Sequence, residues 1–295
     1  MDRIGFIGLG AMGTPMAWNV DEAGYDLGVY NRTAAKMDAF ADAGVATYDS
    51  PAELAAEAEV VVTMLTGPEA LREVVLGEDG VVHGLPRGTV VVDASTVSPA
   101  ATAEVAERVR EAGGEFVDAP VLGTVGPAER GELLVLAGAD EDVLAEVRPL
   151  LSAFGEVRHV GAVGDGTSMK LTTNLLLGVM MEGFSEALAF AAGQGLPLDD
   201  VLDVIQDGVL GAPLFDYKSP VVRERSFEPQ FPVDLLFKDL NLVLDAAGET
   251  SVPLPATGAA REATNATRGL GYGEEDMMAL VKHLEAVTGR TVGED

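Results

Sequence analysis

The chain has no cysteine. Disulfides, thiolate metal ligands and a cysteine nucleophile are therefore excluded. Histidine is nearly as scarce: His83, His159 and His283 lie far apart without paired spacing, so no histidine-based metal site is expected. Positive charge is also short. Nineteen lysines and arginines face 48 aspartates and glutamates, a formal net charge of −29, and Lys36, Lys170, Lys218, Lys238 and Lys282 are the only lysines. Such a surface repels polyphosphate backbones and anionic lipid, which argues against nucleic-acid and membrane partners. No basic stretch leads into an apolar segment near Met1, and the most apolar run, Leu175 to Met181, is too short to span a bilayer. A cytoplasmic location is expected. The acids are spread along the whole chain, not gathered into a tail. That pattern suits solubility in a salt-rich, halophilic cytoplasm, where screening weakens their repulsion.

What is present is core-forming material. The 295 residues are 47% hydrophobic, enough for two domains and against disorder. In the first half, short β-branched runs (Ile4–Ile7, Leu27–Tyr30, Val60–Met64, Thr89–Val92, Glu115–Val117) alternate with helical spacing (Ala11–Ala23, Ala34–Ala43, Pro51–Glu57, Glu69–Leu76, Pro99–Ala112). That alternation predicts βαβ units and a parallel sheet. Leu133–Ala137 and Val157–Val160, flanking a helix at Glu141–Phe154, extend it. Beyond about residue 162 the pattern becomes helical throughout: Ser168–Gln194, Leu198–Asp207, Val233–Ala247, Ala256–Leu270 and Asp276–Val287. The first of these is roughly 27 residues, about 40 Å long, and is read as a helix joining two domains. The boundary is placed in Gly161–Gly166, giving a dinucleotide-binding domain over 1–162 and an all-helical substrate and dimerisation domain over 163–295.

Five segments carry the chemistry. Gly8-Leu9-Gly10-Ala11-Met12-Gly13 follows a strand and opens a helix. Gly8 permits the tight turn, Gly10 lets backbone approach a pyrophosphate, and Gly13 allows close helix packing, with the helix N-terminus facing the phosphates. The next strand ends at Asn31-Arg32-Thr33. No carboxylate stands there to bind a ribose 2′-hydroxyl, and Arg32 and Thr33 can donate to a 2′-phosphate, so NADP is preferred to NAD, which stays possible. In Asp93-Ala94-Ser95-Thr96-Val97-Ser98-Pro99, Ser95 and Thr96 sit at a strand end where they can meet the nicotinamide, while Ser98-Pro99 reads as a helix cap. In Asp118-Ala119-Pro120-Val121-Leu122-Gly123-Thr124, Gly123 can present bare N–H groups to a small anion. Last, Lys170 and Asn174 are four residues apart at the start of the long helix and share one face. Burial and a positive nicotinamide ring would both lower the pKa of Lys170 and let it exchange a proton near neutrality.

Taken in order, these segments and the later Phe231-Pro232-Val233-Asp234 and Lys238-Asp239-Leu240 resemble the β-hydroxyacid dehydrogenase family over essentially the whole chain. Gly126 to Leu133, Pro213-Leu214-Phe215 and Phe231-Pro232 look most like its glyoxylate/succinic semialdehyde reductases. The resemblance implies a Rossmann-type α/β domain, an all-α C-terminal domain and a homodimer or homotetramer formed through the helices. It implies hydride transfer between NADP(H) or NAD(H) and a small hydroxy acid, semialdehyde or keto acid. Lys170 would be the catalytic acid/base. Gly123, Thr124, Asn174, Phe231 and Asp239 would bind substrate, and Gly8, Gly10, Ala11, Met12, Gly13, Asn31, Arg32, Thr33, Leu65, Thr96 and Lys238 the cofactor, with no metal. One departure stands out: Leu122 occupies the place of a carboxylate-binding serine. Competing readings are an imine or β-amino acid reductase and a non-catalytic dinucleotide-binding scaffold. Retention of Lys170 argues against the first, and Lys170 with Asn174 against the second.

Overall fold

A computed structural model describes residues 1–293 and shows two compact units, Met1–Leu171 and a second from Thr172 onward. The first unit is built on a nine-stranded sheet: β1 (Arg3–Ile7), β2 (Asp26–Tyr30), β3 (Ala46–Thr47), β4 (Val60–Thr63), β5 (Val90–Asp93), β6 (Glu115–Asp118), β7 (Val121–Leu122), β8 (Leu133–Gly138) and β9 (Gly155–Gly161). Helices α1 (Gly13–Glu22), α2 (Asp38–Asp42), α3 (Pro51–Glu57), α4 (Pro68–Leu76), α5 (Val81–Gly84), α6 (Pro99–Glu111), α7 (Val125–Glu129) and α8 (Glu141–Leu151) connect the strands. Strands β3-β2-β1-β4-β5-β6 run parallel in that spatial order. Both faces of their valine-rich runs are covered, as a parallel sheet requires. Ile4, Phe6, Val60, Val62, Val90 and Val92 pack with Met16 and Val20 of α1 on one face. Ile7, Val61 and Val91 pack with Leu54 of α3, Leu71 of α4 and Val105 of α6 on the other. The period of two along each strand thus feeds two separate cores.

The expectation of a wholly parallel sheet is corrected at its far edge. Strands β6 and β7 pair antiparallel to β8, and β9 returns to parallel beside it. Between β6 and β8 the only helix is the five-residue α7. At about 1.5 Å per residue it is too short to carry the chain back along a strand, so the chain reverses instead. The sequence reading also passed over the two-residue strands β3 and β7 and the short helices α5 and α7.

The expected long helix is α9, Asp165–Gly193, 29 residues. It starts in the first unit and continues into the second. Its first turns are fastened to the sheet by Asp118 at the end of β6. That carboxylate accepts from the Gly164 N–H (2.7 Å) and the Thr167 N–H (2.7 Å), and the Thr167 hydroxyl lies 3.0 Å from that of Thr102 on α6. A side chain forty-six residues upstream therefore does the work of a local N-cap. By contacts within the fold the first unit runs to Leu171 and so includes these first turns of α9.

Beyond α9 lie α10 (Leu198–Asp207), α11 (Pro213–Arg223), α12 (Val233–Thr250), α13 (Pro255–Gly269) and α14 (Leu280–Thr288). The sequence reading missed α11, whose internal Pro220 breaks the helical pattern. By length and mean hydropathy (1.5), α9 is the one helix among the described residues that could cross a membrane. Its Met181, Phe184 and Leu188 are instead buried in the core of the second unit with Leu202, Leu236, Leu240 and Met278.

Replacing Asp118 with alanine removes two charge-assisted acceptors from a buried helix start, each worth about 1.5–3 kcal/mol. Burial raises the Asp118 pKa and offsets part of that. Denaturant unfolding of Asp118→Ala is expected to show a loss of about 2 kcal/mol or more.

Candidate functional site

The parallel strand order reverses between β1 and β4, and the connections there leave a crevice past the carboxyl ends of β1, β2 and β4. It holds a cavity of about 450 Å³ lined by Gly8, Gly10, Asn31, Arg32, Thr33, Met64 and Leu65, with Lys36 and Glu73 also on its wall. That volume lies within the usual range for a cofactor site.

The three glycines of the turn have different reasons to be glycine. Gly8 has φ +103°, and a Cβ there would come 2.3 Å from the Met64 carbonyl oxygen. A Cβ on Gly13 would sit 1.9 Å from the Gly8 carbonyl oxygen, so that residue is fixed by helix packing. A Cβ on Gly10 would meet nothing within 4 Å. The protein's own packing therefore does not demand glycine at position 10. A bare backbone facing the cavity does fit a dinucleotide pyrophosphate, as does the N-terminus of α1 just beyond. Ala11 and Met12 form the two remaining steps of the turn into α1.

The Asn31 side chain brackets this turn. Its Oδ1 accepts from the Leu9 N–H (2.9 Å) and its Nδ2 donates to the Thr33 carbonyl (3.0 Å), tying the glycine loop to the end of β2. Arg32 lies at the rim, exposed, with Glu73 at 3.9 Å. A pair so open to solvent is worth about 0–1 kcal/mol, so Arg32 can exchange Glu73 for a phosphate at little cost.

The Asp93–Thr96 segment behaves differently from its sequence reading. Ser95 does not turn outward. It is buried, and its hydroxyl accepts from the Leu65 N–H (2.8 Å), fixing the loop after β4. Asp93 in turn accepts from the Ser95 N–H (3.1 Å) and the Thr63 hydroxyl (2.8 Å). Burial pushes the Asp93 carboxyl up to about 6, partly countered by these hydrogen bonds. Thr96 is half-buried beside it, and Ser98 caps α6 as expected, accepting from the Ala101 N–H (3.2 Å). In the next segment Gly123 has φ +137°, and Thr124 stands at the N-cap of α7. Leu122 pairs with Leu134 in the sheet.

Lys170 is half-buried near the start of α9, within the first unit. In the second unit the structure brings together three residues singled out in the sequence. Buried Asn174 on α9 donates from Nδ2 to Asp239 Oδ2 on α12 (2.6 Å), and Lys238 Nζ lies 2.8 Å from the other oxygen, Oδ1. Phe231 is partly buried against the core of the same unit. Sequence reasoning missed what holds Phe231 there. Its N–H donates to Asp276 (3.3 Å), a buried carboxylate paired with buried Lys218 at 2.8 Å. The available signal was the scarcity of lysine, since Lys218 is one of five. Another buried acid, Glu182 on α9, is pushed up to about 7 by burial and by Glu186.

Comparison with known proteins agrees with this geometry. Residues 3–164 match the NAD-binding domain of 6-phosphogluconate dehydrogenase, and residues 164–284 the NAD-binding domain of NADP-dependent 3-hydroxyisobutyrate dehydrogenase. The chain belongs to the β-hydroxyacid dehydrogenase family. It is 36% identical to glyoxylate/succinic semialdehyde reductase 1 of Arabidopsis thaliana over 281 residues, covering 95% of this chain and 97% of that protein. It is also 36% identical to 2-(hydroxymethyl)glutarate dehydrogenase of Eubacterium barkeri over 292 residues, 98% and 97% of the two chains. Among solved structures, 3-hydroxyisobutyrate dehydrogenase of Mycobacterium tuberculosis, crystallised with L-serine, superposes with a TM-score of 0.89 at 30% identity, over 96% of this chain and 99% of that one. The protein is accordingly an NAD(P)-dependent oxidoreductase acting on the CH–OH group of a hydroxy acid.

The high pKa of Asp93 has a consequence for stability. The fold favours its protonated form, so the stabilisation is complete below the unfolded-state value near 3.9 and is lost as pH rises through about 6. A rise from 3.8 to about 6 corresponds to about 3 kcal/mol. Unfolding free energies at pH 4 and pH 7.5 are expected to fall less in Asp93→Asn than in the wild type, by an amount of that order. Parallel pH profiles would show that the carboxyl titrates normally in the fold.

Proposed function

We propose that the protein is an NADP(H)-preferring reductase of small semialdehydes or keto acids to the corresponding hydroxy acids, with Lys170 as its acid/base. A nicotinamide cofactor, which Gly8, Gly10 and Arg32 would hold, would supply or accept the hydride when bound. In the direction of reduction, the Lys170 ammonium gives its proton to the carbonyl oxygen as that oxygen gains negative charge; in oxidation, neutral Lys170 removes the hydroxyl proton. Asn174 and Asp239 bind the substrate, with Gly123 and Thr124 offering donors to its carboxylate and Phe231 closing over it. Lys238 and Thr96 contact the cofactor. The observation that carries this reading is the half-buried Lys170 one helical turn before Asn174, whose amide is already oriented by Asp239. Leu122 in place of a hydroxyl favours substrates whose carboxylate is held mainly by backbone donors and whose remaining group is less polar.

NADP preference is assigned to Arg32 and Thr33, supported by their place on the cavity wall. The helical unit is proposed to form a homodimer or homotetramer, supported by the exposed Leu176 and Phe190 of α9 and Val204 of α10. The spread of acidic residues supports a salt-rich cytoplasmic setting.

Two substitutions test the assignment. Arg32→Ala should raise the KM for NADPH about ten- to a hundredfold, the worth of one charge-assisted contact, and leave that for NADH nearly unchanged at one ionic strength. A wild type that uses NADH better at equal concentration would overturn the preference. Lys170→Ala should lower kcat by at least about 10²-fold while NADPH binding, followed by fluorescence, persists. Lys170→Arg should not restore turnover, because a guanidinium does not release its proton at working pH. Near-normal turnover in Lys170→Ala would remove the mechanism.

A further inference from the structure

We infer that Lys218 and Asp276 are positioning residues for the substrate site, acting by fixing the loop that carries Phe231. The inference rests on the reading, proposed above, that Phe231 closes over substrate. The loop between α11 and α12 is laid along the segment before α14. Backbone hydrogen bonds run from the Asp276 N–H to the Phe227 carbonyl (3.0 Å), from Met277 N–H to Phe231 (2.8 Å), from Val233 N–H to Glu275 (2.9 Å) and from Asp234 N–H to Gly273 (2.9 Å). The Asp276 carboxylate sits in the middle of this seam. Oδ2 accepts from the N–H groups of Gln230 (3.2 Å) and Phe231 (3.3 Å), and Oδ1 from that of Met278 (3.1 Å). Lys218 Nζ donates to both oxygens, at 2.9 and 2.8 Å, and to Gln230 Oε1 at 3.3 Å.

Both charged residues are wholly buried. A buried ion pair is a poor way to gain stability, because the cost of removing two charges from water consumes most of the attraction, and apolar residues of similar volume often do as well. What apolar residues cannot supply is an acceptor for two consecutive loop N–H groups. Asp276 supplies it, and Lys218 makes the buried carboxylate tolerable. The pair thus specifies the path of residues 230 and 231, and with it the place of the Phe231 ring.

The test uses the full chain with NADPH and succinic semialdehyde. Lys218→Met leaves a buried carboxylate and can fail to fold, so the deciding variant is Lys218→Met/Asp276→Leu, which removes both charges and the acceptor at similar volume. Hydrogen–deuterium exchange in a peptide covering residues 227–232 should be at least about tenfold faster than in the wild type, with α12 and α13 unchanged. The KM for succinic semialdehyde should rise at least about tenfold, with kcat within a few-fold of the wild type and NADPH affinity unchanged. Lys218→Met/Asp276→Asn, which keeps one oxygen to accept from the Gln230 and Phe231 N–H groups, should recover the slower exchange and the KM at least in part. Wild-type exchange at 227–232 in a folded Lys218→Met/Asp276→Leu variant overturns the inference. Faster exchange with unchanged KM confines the pair to a structural role and overturns it as well. A wild type that reduces no semialdehyde defeats the substrate reading instead, and the exchange result alone then supports or overturns the fixing of the loop.

Discussion

The carboxylate of Asp118 is the constraint on which the start of α9, and with it the place of Lys170, depends. It ends a sheet strand, it is buried, and its two oxygens receive the N–H groups that begin α9. Lys170 follows Thr167 by less than one turn, so its position relative to the sheet is inherited from that contact. A helix of 29 residues would otherwise enter the fold with its first donors unsatisfied and its start free to shift. Gly138 and Gly166 pack closely against Asp118, at 2.5 and 2.9 Å from where their Cβ atoms would lie, so larger residues there would displace the carboxylate.

The same device recurs in three places: a buried acid used as an acceptor for backbone. Asp93 holds the loops after β4 and β5, Asp118 holds α9, and Asp276 holds the loop before α12. They differ in how burial is compensated. Asp276 has a lysine, whereas Asp93 has only hydroxyl and amide donors and its carboxyl is pushed up to about 6. Buried cations are scarcer than buried acids: among the described residues Lys218 is the one wholly buried lysine, against Asp93, Asp118, Glu182, Asp239 and Asp276. The acids on the surface face water and salt, where repulsion is screened within about 10 Å. Interior acids have no such screening and rely on the donors that the turns provide.

Most of the fold was legible because its signals are local. Period two in the valine runs, period 3.6 in the helices and Ser-Pro at the start of α3 and α6 each depend on neighbours in sequence. The glycine turn and the Lys170–Asn174 spacing are of the same kind. What escaped notice depends on partners far away or on very few residues. Strands of two residues have no period, and Pro220 concealed α11. Ser95 was read as a ligand contact because strand ends face the crevice, but its hydroxyl meets Leu65, thirty residues earlier. The fastening of α9 to the sheet escaped notice for a similar reason: its acceptor, Asp118, lies 49 residues before Thr167.

The point at which the two units meet along the chain has an evolutionary consequence. Leu171 is the last residue of the first unit, so the glycine turn, Arg32, Gly123, Thr124 and Lys170 precede that point in the chain, and Asn174, Phe231, Lys238 and Asp239 follow it. An exchange of everything after Leu171 between two relatives would keep the glycine turn, Lys170, Gly123 and Thr124 while replacing Asn174, Phe231, Lys238 and Asp239. Such a graft would exchange only part of the proposed substrate contacts, and it would have to continue α9 in register. The helix itself is the splice.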